Sequence, residues 1–315
     1  MKHTLTLSVL LAFVLHPSSF ILAQGSLTPP GAPAPTMKTL AQVEPRTLIS
    51  SAPFTITQPG SYYLTTNLVG ASGQNGITIS SGNVTLDLNG FALMGVPSSL
   101  RGVYVAGSYT NITVRNGTVS GWDSNGVDGY STGSPRNLVF ERLTVSANGG
   151  SGILTEAASV VRDCLSLRNI GYGIFSSGAL VSGCVVRENG DSGILANSGT
   201  VSGCLVQNNG ASGIYVNLPG SQVIGNTCIG NNTFNSAVHA GIYINDSNNR
   251  VEGNHVTVSG VAGIRVENSI YVNNVVIKNT VSGNAGNNYL GTAGNDFGPI
   301  GTAATATSPW ANISH

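Results

Sequence analysis

Nine residues of this chain, Thr78, Tyr104, Asp128, Leu154, Phe175, Leu195, Tyr215, Tyr243 and Arg265, each lie two positions after a glycine and recur every 20 to 28 residues. The series is apolar and aromatic through its middle, with an acid and a base near its ends. Exposed aromatic faces stack on sugar rings, and a strip crossing many repeats suits a long polysaccharide better than a small molecule. Tyr104, Asp128, Phe175, Tyr215, Tyr243 and Arg265 are therefore the candidate substrate-binding residues. Trp122 and Asp123 are expected to widen the surface near Asp128. The competing expectation is that protein covers the strip: the linker, the tail, a partner, or another copy by self-association.

The densest group of charges is Arg115, Glu141, Arg142, Arg162 and Asp163. As chemistry it would be an acidic-sugar site with arginine as base or clamp. The expectation is instead an alternating ion-pair ladder on a solvated corner, of the kind that contributes little. Arg168, Arg187 and Glu188 read the same way. No CxxC or HxxxH spacing occurs, and three methionines with scattered histidines disfavour copper, so no metal ligand is assigned.

Elements that could position such a strip follow from the composition. Charged residues are only 8% of the chain, while glycine contributes 42 of 315 residues. Helix formers are too scarce for a bundle, and a formal charge of zero leaves no basic stripe for nucleic acid. Such a chain must satisfy its backbone in sheet, with Gly and Asn at turns that need left-handed angles.

The stretches "VSGCVVRENGDSGI" and "VSGCLVQNNGASGI" lie twenty residues apart. Aligned on their cysteine, Gly117, Leu143, Cys164, Cys184, Cys204, Asn226, Asn254 and Asn279 share one column. Five residues on comes a run of asparagines: Asn148, Asn169, Asn189, Asn209, Asn231 and Asn284. The glycine nine residues on is displaced only in the Asn226 repeat, where about six residues within "NNTFNSAVHA" are inserted before Gly241. Three short apolar runs per repeat predict one coil of a parallel β-solenoid, with bends at Ser202–Gly203 and Asn208–Asn209 in the Cys204 copy. Val114, Val161, Val181, Val201, Val223, Val251 and Val276 are expected in one inward stack.

From Gly76 to Val281 the "V-x-G-N/C-x-V…N…G-I-x-V" units resemble the right-handed parallel β-helix repeats of the pectate-lyase-like superfamily. The resemblance implies an all-β, single-stranded right-handed parallel β-helix of about ten coils. It also implies an association with polysaccharide lyases, hydrolases and epimerases, but also with adhesins. The paired-Asp and Gly-His-Gly motifs of the polygalacturonases are absent, as is a Ca²⁺-type carboxylate cluster followed by the lyases' Arg motif. The expectation is thus a non-catalytic polysaccharide-binding or cell-surface module without cofactor, with a lyase, hydrolase or epimerase as the alternative; Ca²⁺ enters only for a lyase.

Residues 1–23 read as a secretory signal peptide and 24–37 as a Pro-rich linker, so an exported protein with no membrane span is expected. Residues 38–75 are assigned to an N-terminal cover and first strands, 76–287 to the repeats, and 288–315 to a C-terminal tail or cap containing Trp310. Four cysteines in an exported chain allow two disulfides. Their place in core columns predicts instead a buried stack of free thiols.

Overall fold

A computed structural model describes residues 44–130 and 133–315; the expected signal peptide and linker lie outside the described residues. Every strand pairing is parallel, in one sheet of 22 strands, two from most coils, and a second of 11; in two coils the pair merges into one long strand, Thr110–Ser120 and Arg136–Ser146. A representative coil runs through Thr200–Ser202, Leu205–Gln207 and Ile214–Leu218. Side chains alternate along each short strand, so Val201, Val206, Ile214 and Val216 point inward and are fully buried. Val181 pairs in register with Val201, and Val201 with Val223. All seven valines expected in the inward stack are buried at 0% exposure. The chain is an all-β right-handed parallel β-helix of about ten coils.

The corners divide two tasks between neighbouring residues. Gly203 and Asn208 hold the left-handed angles, at φ 61° and 51°. Asn209 instead turns inward, where its Nδ2 donates to Asn231 Oδ1 at 2.9 Å and its Oδ1 accepts from Asn189 Nδ2 at 3.0 Å. The same bonds link Asn148 to Asn169 and Asn169 to Asn189, so buried amides run along the axis with their partners supplied by the next coil.

Cys164, Cys184 and Cys204 stack in one buried column with free thiols, and Cys228 is also buried and free. The column then changes chemistry without changing place: Cys204 N–H donates to Asn226 Oδ1, and a second amide ladder continues through Asn254, Asn279 and Asn312. A third, Asn249 to Asn274 to Asn295, was not visible in the alignment.

Strand pairing extends into both end segments. Thr47–Ile49 pairs with Gly60–Leu64, and Phe54–Ile56 with Ile77–Ile79, so the segment assigned to a cover and first strands is coiled from Thr47 onward. At the other end Tyr289–Leu290, Asp296–Phe297 and Asn312–Ser314 pair with the preceding coil, so 288–315 continues the solenoid. Tyr289 and Phe297 pack against the end of the core, with ring centroids 6.4 Å apart. Trp310 is not in that layer; it sits on an excursion outside the sheet and is 51% exposed.

Trp122 is also displaced from its expected place. It is 1% exposed, with its indole N–H donating to Leu93 C=O at 3.2 Å. A Cβ at Gly76 would lie 2.7 Å from its ring, so the glycine there makes the space that takes the indole inside.

Candidate functional site

The column from Thr78 to Arg265 forms as one continuous row on the outward side of the 11-stranded sheet: Thr78 pairs with Tyr104, Tyr104 with Asp128, and so on to Tyr243 with Arg265. Outwardness and exposure are different properties here. Asp128, Leu195 and Tyr243 are 3%, 4% and 6% exposed, while Tyr104, Phe175, Tyr215 and Arg265 are half-buried. The row is covered in places by side chains and one loop that the repeats do not contain.

At the N-terminal end, Arg101 holds both sequence candidates. Its guanidinium lies 4.5 Å from the Tyr104 ring centroid, and its Nε donates to Asp128 Oδ2 at 2.7 Å. Asn125 Nδ2 and the Tyr130 N–H also donate to the Asp128 carboxylate, at 2.9 and 3.1 Å. Buried and held by three donors, Asp128 fixes the loop after it and is not an open acid facing the strip.

The middle is an aromatic group. Tyr130 meets Phe175 edge-on with centroids 5.0 Å apart, and Tyr172 flanks Phe175 at 6.1 Å. Tyr130 is 44% exposed, so this group presents ring surface to solvent. Burial, and then the charge of Asp191, push the Tyr172 hydroxyl up to about 12.

The Tyr215 and Tyr243 rings meet at a tilt of 38°, with centroids 5.2 Å apart. The Tyr215 hydroxyl donates to Asn217 Oδ1 at 2.7 Å and accepts from Asn245 Nδ2 at 3.1 Å. Over Tyr243 lies the inserted segment of the Asn226 coil. Asn232 shapes it by donating to Ser236 and His239 carbonyls and accepting from the Ser236 N–H. His239 then rests edge-on against Tyr243 at 5.9 Å, with Nδ1 3.1 Å from Ser212 Oγ. Arg265 donates to Ala237 C=O and pairs with Glu267 at 2.8 Å, while its buried Nε has no acceptor. Burial lowers the His239 pKa, so its imidazole is neutral at pH 7. Burial, followed by the bond to Glu267, raises Tyr243 far above the ordinary tyrosine value.

Arg101, Tyr130, Tyr172, Asp191, His239 and Glu267 were missed by sequence reasoning. Two of its columns did hold a signal: Arg101 and Tyr172 each immediately precede a ladder glycine, and Asp191 and His239 lie one residue earlier. The other charge cluster is structural. Glu141, 5% exposed, accepts from Arg142 and Arg162, whereas Arg115 turns to Asp87 at 3.1 Å. Among the described residues no three His, Cys, Asp or Glu side chains converge to hold a metal, and no helix is long and apolar enough to cross a membrane. An apolar outward column is not unique to the strip: Leu165, Val185 and Leu205 form another on the larger sheet. Aromatic rings and titratable groups distinguish the first.

A family model described as "right handed beta helix region" matches residues 55–228 and 175–298. Among solved structures, the A-module of mannuronan C-5 epimerase AlgE6 from Azotobacter vinelandii is similar at 18% identity and TM-score 0.51, over 84% of this chain and 76% of that one. The Dettilon tailspike protein gp208 aligns at 13% identity and TM-score 0.55, over 85% and 61%. The Agl-KA catalytic domain aligns at 14% identity and TM-score 0.54, over 86% and 61%. No curated protein matches the chain.

Proposed function

The chain belongs to the right-handed β-helix family, and we propose that it is an exported module that holds an extended polysaccharide along the outward strip of its 11-stranded sheet. One observation carries this reading: Phe175 and Tyr215 present partly open rings in one column along the helix axis, with the exposed Tyr130 ring edge-on beside Phe175. Phe175 and Tyr215 are two coils apart, or about 10 Å at the usual strand spacing. That is about the length of a disaccharide unit, so successive rings of one chain can rest on both. The named action of one solved structure of this fold on mannuronan fits a glycan of this extended kind.

The test is retention on an array of neutral and uronate-containing polysaccharides. Replacing Phe175 and Tyr215 with Ser should abolish retention in a protein that still unfolds in one cooperative transition, lowered by the lost Tyr215 hydrogen bonds and ring contacts. Unfolding or precipitation of that variant would mean that the rings serve a protein contact instead. Tyr243 is left out of the variant because it is buried beneath His239.

A second reading, an enzyme acting on the same glycan, is favoured by the titratable groups between Tyr172 and Glu267. His239, whose pKa burial lowers, lies against Tyr243 and can take a proton, and the Arg265 Nε, which has no acceptor, can donate a hydrogen bond to an acidic sugar. Unsaturated uronate absorbance or new reducing ends, lost in His239→Ala with retention unchanged, would select this reading.

A further inference from the structure

The larger sheet carries a second cleft, at the C-terminal end and remote in sequence from the strip's aromatic centre. Its volume is about 430 Å³, within the range of ligand pockets, about 300–1,000 Å³. The floor is one outward column, Arg250, Val275 and Asp296, paired in register across three coils. Ile277 extends the floor, and Pro299 and Trp310 form the wall.

The wall is held in place. Asn312 N–H donates to Pro299 C=O at 2.8 Å, and Trp310 N–H donates to Ser308 Oγ at 3.2 Å. A Cβ at Gly298 would lie 2.3 Å from the Trp310 carbonyl oxygen, so only glycine lets the excursion lie this close to the sheet. The indole remains 51% exposed, with the Lys278 ammonium 4.6 Å from its ring centroid. An indole carried on a held backbone, yet left half open at the edge of a cleft, adds no core packing and leaves ring surface for a ligand.

The geometry points to this cleft as a separate saccharide subsite that takes a neutral pyranose unit, stacked on Trp310 with its hydroxyls bonded to Arg250 and Asp296. The charges select neutrality. Arg250 and Lys278 share the Glu252 carboxylate at 2.6 and 2.8 Å, and Asp296 has no ion-pair partner among the described residues. The four side chains sum to zero, so an acidic ring meets Asp296 and Glu252, and a basic one meets Arg250 and Lys278. A hydroxyl satisfies both ends, donating to the Asp296 carboxylate and accepting from the Arg250 guanidinium. The subsite does not depend on the strip, which lies on the other sheet; if both bind, one polysaccharide or two can be held at once.

The chain has two tryptophans, and Trp122 is 1% exposed, so iodide quenching of fluorescence reads Trp310. Maltotetraose, cellotetraose, mannotetraose and tetragalacturonate are titrated against the full chain. A neutral tetrasaccharide is expected to protect Trp310, with Kd raised about tenfold or more in Arg250→Ala and in Asp296→Ala. The Phe175→Ser, Tyr215→Ser variant should leave this protection intact, whatever it does to polysaccharide retention. Failure of all neutral probes, protection by tetragalacturonate alone, or loss of protection in the strip variant would overturn the assignment. Retention on the array that is unchanged in the strip variant, with Trp310 protection preserved, would sink the strip and leave this subsite standing.

Discussion

Replacing Asn189 with Ala tests whether the amide ladder or the apolar stack holds the coils together. Asn189 is 2% exposed. Its Oδ1 accepts from Asn169 N–H at 3.1 Å and from Asn169 Nδ2 at 3.0 Å; its Nδ2 donates to Asn209 Oδ1 at 3.0 Å and to Ser166 C=O at 3.3 Å. Truncation leaves the buried Asn169 N–H without an acceptor, because no other bond to it exists among the described residues. Asn169 Nδ2 keeps Ser166 Oγ at 3.1 Å and Val145 C=O at 3.3 Å, so it is not orphaned. One stranded donor costs about 1–3 kcal/mol, and the lost bonds to Asn209 and Ser166 add about 1 kcal/mol, for a loss of about 2–4 kcal/mol. The control is its corner neighbour: Asn208 in the next coil is exposed at φ 51°, and Asn208→Gly should be neutral within about 0.5 kcal/mol. Urea unfolding followed by far-ultraviolet circular dichroism measures both. Equal effects of the two substitutions would refute the ladder as a source of stability.

Thiol titration of native protein should find almost no reactive cysteine and, after denaturation, about four; the hydrogen bond that Cys184 donates to Cys164, together with burial, holds the Cys184 thiol up at about 12, and recovery of disulfides would contradict the free stack. Alkali should unfold the protein by a stated route. Tyr172 is held up to about 12 and burial raises Tyr289 also, whereas unfolded tyrosine ionises near 10. Their contribution is therefore fully present below about pH 10 and is lost as pH rises toward 12, and tyrosinate absorbance should lag in the folded state and jump on unfolding. Gly76→Ala should cost about 1–3 kcal/mol by crowding the Trp122 ring and the Gly102 carbonyl, 2.7 and 2.6 Å from the new Cβ. Unchanged tryptophan emission and stability would show that the ring can move aside.

The coil was legible because its causes are periodic. Val181 and Val201 must face the same interior, one coil apart, so the same residue type recurs at the same offset. The corner was legible as a pair, but not the division of labour within it: asparagine suits both a left-handed angle and an amide ladder, and only the backbone shows that Asn208 does the first and Asn209 the second. The ends were less legible for the opposite reason. Residues 47–64 and 288–315 pair with their neighbours through backbone hydrogen bonds, which require no particular side chain, so the pattern fades there while the coils continue.

The strip shows where periodic reading stops. Alternation along a strand fixes which way Tyr215 and Tyr243 point, and both point outward as the spacing requires. Whether an outward ring meets solvent depends on what lies over it, and those groups belong to irregular segments: Tyr130 after its strand, Tyr172 at a corner, and His239 on the insertion shaped by Asn232. An inserted loop has no counterpart in the neighbouring coils to betray its direction. Its cover closes the Tyr243 end of the row, and Arg101 with Asn125 occupies the Asp128 end, so the open length of the strip is its centre. A polysaccharide on this face must therefore make its first aromatic contacts at Tyr130, Phe175 and Tyr215. Substitutions at Asp128 or Tyr243 should act on folding before they act on binding.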